Sequence, residues 1–189
     1  MNFADEIQKY LPVNEQEAVD KSVILDLIST YGLKLLNREN LAVHISSSGF
    51  IVNQTLTKTL VIYHNIYKAW TWTGGHADGE ANLLNVAIKE AMEETGVSKI
   101  KPLSQQPAVL DILSVPAHVK NGKYVSTHLH ISVGYLLAAD DNQPIFIKAD
   151  ENSGVQWIML GDLFKYCTEP EMVGVYRKLL NRLEKIKLC

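Results

Sequence analysis

The chain reads as an α/β protein, and three observations carry that prediction. Two stretches rich in β-branched residues, Ala42–Asn53 and Thr59–His64, precede a glycine-rich segment and an acidic helix from Asn82 to Gly96. Two more strand-like stretches, Val109–Val119 and Tyr124–Leu137, follow that helix. An amphipathic helix then closes the chain, so helices are available to cover a sheet.

At 189 residues, with 47% hydrophobic and 21% charged content, the chain suits one soluble domain with an appended element. A net charge of −3 argues against a general nucleic-acid binder, which would present a basic face, but leaves small phosphorylated ligands open. The start, M-N-F-A-D-E-I-Q-K-Y, is acidic from Asp5 and has no apolar core of a secretory signal. No apolar run is long enough to span a membrane, and a soluble cytoplasmic protein is expected. Cys167 and Cys189 are too few for a disulfide framework or a thiolate zinc site, and read as reduced thiols.

The first forty residues read as helical. Asn14 and Glu17 form a capping box, and Ala18, Val19, Ile24, Leu25, Leu27 and Ile28 follow at roughly helical recurrence. Gly32 ends or bends that helix before Leu33–Arg38. Packing on the core is its default role; covering a cleft or forming a homodimer surface are the alternatives. After the first strands, Tyr63, His64, Tyr67, Trp70 and Trp72 lead into a turn with Gly74, Gly75 and Gly79, residues that permit positive φ and close approach to the backbone. Asn82 caps the next helix and Gly96 ends it.

That helix carries Glu90, Glu93 and Glu94 on one side, spaced i, i+3, i+4, and no lysine or arginine is read at the partner positions. The apolar stripe is Leu83, Leu84, Ala87, Ile88 and Ala91, with Glu90 and Glu94 nearest to it and therefore partly buried. Each like-charge pair costs about 0.2–0.5 kcal/mol in water, and unpaired burial costs much more. A hard divalent cation would remove the penalty. A solvated acidic face is the competing reading. Two phosphate-binding alternatives fail: Gly74 and Gly79 have P-loop spacing, but Glu80 and Ala81 stand where the Lys and Ser/Thr belong, and G-G-H-A-D-G is not a dinucleotide fingerprint.

Beyond the helix, Asn121-Gly122 predicts a hairpin. Leu129, Ile131, Val133 and Tyr135 alternate with His128, His130, Ser132 and Gly134, giving one apolar and one polar face. A two-residue turn pairs His118 with Val125, on the face opposite His128 and His130, so these three do not converge on zinc. Substrate contact from His128 or His130 is one reading and plain surface placement another. The segment Asp150-Glu151 precedes a last strand, Val155–Leu160. In the final helix, Glu169–Leu188, the wheel puts Val173, Tyr176, Leu179, Leu180, Leu183 and Ile186 inward and Arg177, Lys178, Arg182, Lys185 and Lys187 outward.

From Gly75, five residues lead to Ala81 and seven more to Lys89-Glu90-Ala91-Met92-Glu93-Glu94-Thr95-Gly96-Val97. This run resembles the Nudix hydrolase signature, G-x5-E-x7-R-E-U-x-E-E-x-G-U with U aliphatic; it departs at Ala81, in place of the first Glu, and at Lys89, in place of Arg. The resemblance implies a Nudix-type α/β/α sandwich around a mixed sheet, with residues 41–165 as core, 1–40 as an added helical segment and 166–189 as a helix packed on the core. It implies hydrolysis of a phosphoanhydride in a nucleoside diphosphate linked to another moiety. Mg²⁺ or Mn²⁺ would be held by Glu93 and Glu94 with Glu90 assisting, and the general base would be Glu90, Glu93 or the Asp150/Glu151 segment. The backbone near Gly74 and Gly75 would shape the site, Lys89 would keep the charge of the orienting Arg, and Trp70 or Tyr67 would stack on a base. Ala81 cannot support the metal, and Glu80 is the nearest carboxylate. A catalytically weak domain that binds a nucleotide or sugar nucleotide is the alternative. Other chemistry on the fold, such as isoprenoid diphosphate isomerisation, would want a cysteine near the cleft, and neither cysteine lies in a suggestive motif. No secondary signature names the substrate.

Overall fold

The computed structural model describes residues 3–120 and 122–188. Its centre is a mixed eight-stranded sheet whose spine runs β10 (Asn152–Met159), β2 (Lys58–His64), β1 (Val43–Asn53), β9 (His128–Ala139) and β5 (Ile100–Pro102). Three further strands complete it: β3 (Ala69–Thr71) pairs with β2, β4 (Thr73–His76) with β1, and β6 (Val109–Val115) with β9. The β1–β9 pair is parallel and holds register from Val43↔Leu129 to Asn53↔Ala139; the other ladders are antiparallel.

Alternation along these strands makes two apolar faces, each covered by helix. Ile45, Ile51, Ile131, Val133, Tyr135 and Leu137 face α1 (Phe3–Lys9), α2 (Glu15–Tyr31) and α3 (Leu83–Thr95). Phe50, Val52, Val109 and Leu136 pack with α4 (Leu163–Tyr166) and α5 (Pro170–Lys187). The result is an α/β/α sandwich, and its caps follow the sequence. Asn14 accepts the Glu17 amide at 2.9 Å, Asn82 accepts the Asn85 amide at 3.2 Å, and Gly96 takes φ 75°.

Four expectations are corrected here. Gly74 and Gly75 do not form a turn; they lie in β4, paired with Ser48 and Ser47, and the turn residues with positive φ are Asp78 and Gly79. The predicted hairpin is interrupted, with β7 (His118–Lys120) and β8 (Lys123–Val125) forming a separate two-stranded ribbon; Asn121 lies outside the described residues. Val19 of α2 is exposed although apolar. In α5 Lys178 is buried and Ile186 exposed, the reverse of the wheel, because Lys178 finds two carboxylates: Glu17 at 3.2 Å and Asp111 at 2.5 Å. These contacts tie α2 and α5 to strand β6. The α2 residue Asp20 also accepts the Ile112 amide at 3.0 Å, which occupies part of the β6 edge.

Among the described residues no helix is long and apolar enough to cross a membrane. Cys167 is buried, packed with the α4–α5 cluster, and burial pushes its thiol up to about 12; Cys189 lies outside the described residues.

Candidate active site

A cleft of about 570 Å³ opens where β4 passes over the N-terminal half of β1. Cross-strand pairing sets what lines it. Ser46, Ser48, His76, His130 and Ser132 present a polar floor from β1, β4 and β9, and Glu90 and Glu94 enter from α3.

The two glycines of β4 explain how the helix reaches the cleft. A Cβ on Gly75 would stand 2.5 Å from Glu90 Cδ, so only glycine leaves room for that carboxylate. A Cβ on Gly74 would strike Ser48. Its amide instead donates to Glu94 Oε2 at 2.8 Å. The Glu94 carbonyl in turn accepts the buried Asn152 side-chain amide at 2.9 Å, which pins the end of α3 to β10.

Burial sets the electrostatics. Glu94 is 2% exposed and forms no salt bridge among the described residues. Burial raises its pKa to about 8, against the Gly74 amide, with Glu151 and Glu90 adding repulsion. Glu90 is also raised, by burial first, against Lys89 at 3.8 Å. Glu93 behaves oppositely: it is exposed, and the hydrogen bond from Lys148 at 3.1 Å holds its carboxyl below the usual range. Lys148 also pairs with Glu151 at 3.0 Å; burial works against its charge, but the two carboxylates hold its pKa above the usual value.

The expected trio of Glu90, Glu93 and Glu94 therefore does not converge. Glu90 and Glu94 line the cleft with Asp150 and Glu151, while Glu93 turns to Lys148 and to Lys89 at 3.6 Å. The expectation of no basic partner is corrected too, because Lys89 sits four residues before Glu93. Glu80 is exposed and accepts the Asn82 amide at 2.7 Å, so it serves the turn and not the cleft. Ala81 packs against the core on the helical side of the sheet. Of the two aromatics, Tyr67 lines the cleft, its ring stacked on His64 at 4.4 Å. Trp70 packs instead against Tyr63, Tyr166 and Gly154.

Several residues at the site escaped the sequence reading. Arg38 and Asp78 form a bidentate pair on the cleft wall, at 2.8 and 2.6 Å. His44 and His76 join His130, their ligand atoms all within 4.8 Å of one another, and His128 adds a ring nitrogen 3.2 Å from that of His130. The expected pairing of His118 with Val125 is present, but it does not turn His118 away from the others: its ring lies 6.4 Å from that of His128, and it lines the cleft with His130. A different trio converges because β1, β4 and β9 are adjacent only in the folded sheet. Burial lowers the pKa of His44, and burial with the neighbouring imidazoles lowers that of His130 to about 2, so both are neutral. The signal available earlier was the polar alternation His128, His130, Ser132, which His44, Ser46, Ser48 repeats on β1.

The NUDIX domain model matches residues 44–183. Among solved structures, a C. elegans Ap4A hydrolase binary complex superposes with a TM-score of 0.56 at 18% identity, covering 75% of this chain and 98% of that one. A Nudix hydrolase from M. Smegmatis, RenU, gives 0.56 at 10%, covering 76% and 87%. A MutT protein from Methanosarcina mazei Go1 gives 0.50 at 16%, covering 77% and 96%. At these identities the structural likeness speaks for the fold. No curated protein matches the sequence. A family model spanning most of the chain, and a fold that sets its acidic helix against a cleft, lead to one conclusion: the chain belongs to the NUDIX family, hydrolases that act on pyrophosphate bonds.

Proposed function

We propose that this hydrolase cleaves the phosphoanhydride of a nucleoside diphosphate linked to another moiety, with Mg²⁺ or Mn²⁺ as cofactor. The observation that supports this most is Glu94, a buried carboxyl without a salt bridge among the described residues, beside Glu90 in the cleft. Two carboxylates in that position suit a hard cation, which takes oxygen ligands and substrate phosphate oxygens. Glu90 and Glu94 would hold the ion, with Glu151 across the cleft. When bound, it supplies charge neutralisation for the diphosphate and a more acidic water.

The chain's own groups do the positioning. The Gly74 amide fixes one oxygen of Glu94, and Asn152 fixes the backbone behind it. Glu90, by its place on the cleft wall, is the better placed base; Glu93 is paired with Lys148 and does not line the cleft. Arg38 offers a planar guanidinium to phosphate. Tyr67 offers a ring face to a nucleobase. The cleft volume, about 570 Å³, lies in the range usual for small-molecule sites.

The test is a panel of nucleoside diphosphate derivatives with Mg²⁺ or Mn²⁺, read as phosphate release after a coupling phosphatase, with Glu90→Gln beside the parent. Turnover that needs the ion and falls at least about tenfold in Glu90→Gln supports the reading. Tight binding of a derivative with no turnover in either protein replaces it with a nucleotide-binding role.

A further inference from the structure

We infer that His44, His76 and His130 form a binding site for a divalent transition ion of the zinc class, separate from the carboxylates of α3 and open to the same cleft. The three donors come from three adjacent strands. His44 and His130 are register partners across the parallel β1–β9 ladder, and His76 follows Gly75 on β4, whose register sets it opposite Ser46. Strand pairing, not loop conformation, therefore holds the set together.

The ligand atoms lie within 4.8 Å of one another, and theirs is the group of three or more histidine, cysteine or acidic side chains that converges in this way among the described residues. Tetrahedral coordination with bonds of about 2.0–2.1 Å needs donor separations of roughly 3.3 Å. Modest ring rotations close the remaining gap.

The hydrogen bonds around the cluster already prepare it. His44 Nδ1 donates to the Asn40 carbonyl at 3.0 Å, which leaves Nε2 with a lone pair, and that atom is buried without a hydrogen-bond partner among the described residues. A carbonyl on the distal nitrogen is how a metal-binding imidazole is oriented. His128 is prepared in the same manner, its Nδ1 donating to the Ser126 carbonyl at 2.8 Å. Its Nε2 stands 3.2 Å from that of His130, close to a tetrahedral edge, so His128 is a fourth imidazole within reach. Nitrogen donors favour zinc-class ions over Mg²⁺, which the carboxylates suit. With three histidines engaged, the fourth position is left for water or a substrate oxygen.

The inference does not depend on the hydrolase reading, and its test keeps the two apart. Tag-free protein is stripped with a chelator and titrated with Zn²⁺ by calorimetry in excess Mg²⁺, then with Co²⁺ by absorption. One Zn²⁺ per chain is expected, with the intense visible bands of tetrahedral Co²⁺. His44→Gln and His130→Gln should each weaken binding at least about tenfold, while Glu94→Gln leaves it unchanged. Because His44 is buried, His76→Gln, on a partly exposed member, gives the same readout if either of the other variants fails to fold. No stoichiometric uptake, uptake that survives the histidine variants, or uptake lost in Glu94→Gln overturns the site.

Discussion

Two groups of buried acids solve the same problem in opposite ways. At the β6 edge, Glu17 and Asp111 are almost wholly buried, and Lys178 sits against both. At the cleft, Glu94 is as deeply buried and Glu90 partly buried, yet Glu94 has no salt bridge among the described residues and Lys89 stands 3.8 Å from Glu90. The first group finds its cation within the chain and does structural work, although two acids share one lysine and burial still raises the Asp111 carboxyl. In the second, the cost of desolvation is left standing, which is what a site that recruits its cation from solution looks like.

The largest effect should come from breaking the first group. Lys178→Met leaves two buried acids without their cation and should cost about 3–5 kcal/mol in urea unfolding. Adding Glu17→Gln and Asp111→Asn should return most of it. If Lys178→Met is neutral, the lysine is not what holds the two buried acids in place.

Glu94→Gln probes the second group. In the presence of Mg²⁺ it should lower kcat/KM about a hundredfold, or ~2.7 kcal/mol. Without metal it should do the reverse to stability above neutral pH. The folded-state pKa of Glu94 is raised from 4.5 to about 8. The folded state therefore favours the proton, and that stabilisation is complete below about pH 4.5 and lost as pH rises through about 8. The Tm of the metal-free parent should fall across this window, and the fall should be smaller in Glu94→Gln. A parallel decline in both proteins would remove Glu94 as its source.

The smallest effect separates positioning from stability. Gly75→Ala puts a methyl where Glu90 Cδ now lies, 2.5 Å from the new Cβ, and the flexible end of Glu90 can swing aside. The rate should fall about tenfold, ~1.4 kcal/mol, while stability changes by less than about 1 kcal/mol. Equal losses in both would mean that the glycine is needed for packing alone.

What could be read from the sequence was local. Asn82, the apolar stripe and Gly96 lie within fifteen residues of each other, and α3 follows them, including the burial of Glu94 ahead of Glu93. What could not be read depends on distant partners. Lys178 looked like a solvated charge because a helical wheel cannot know that Asp111 waits on another strand. Gly74 and Gly75 looked like turn formers because their other reason, room for Ser48 and Glu90, appears only once β4 is laid on β1 and α3 over it. The histidines near in sequence, His118, His128 and His130, drew attention, while His44 and His76 needed the β1–β9 and β1–β4 registers to join them. Glu93 turns out of the cleft because Lys148, 55 residues away, draws it.

The Lys178 contact also orders events in time. A chain emerging from the ribosome presents α2 and β6 well before α5, since Asp111 and Lys178 are 67 residues apart. Until that lysine is made, Glu17 and Asp111 lack their cation, and drawing both carboxylates into a dry interface is costly. The Asp20 contact with the Ile112 amide, which covers part of the β6 edge, joins the same two elements. α5 thus brings the cation to a junction that α2 and β6 by themselves leave without one.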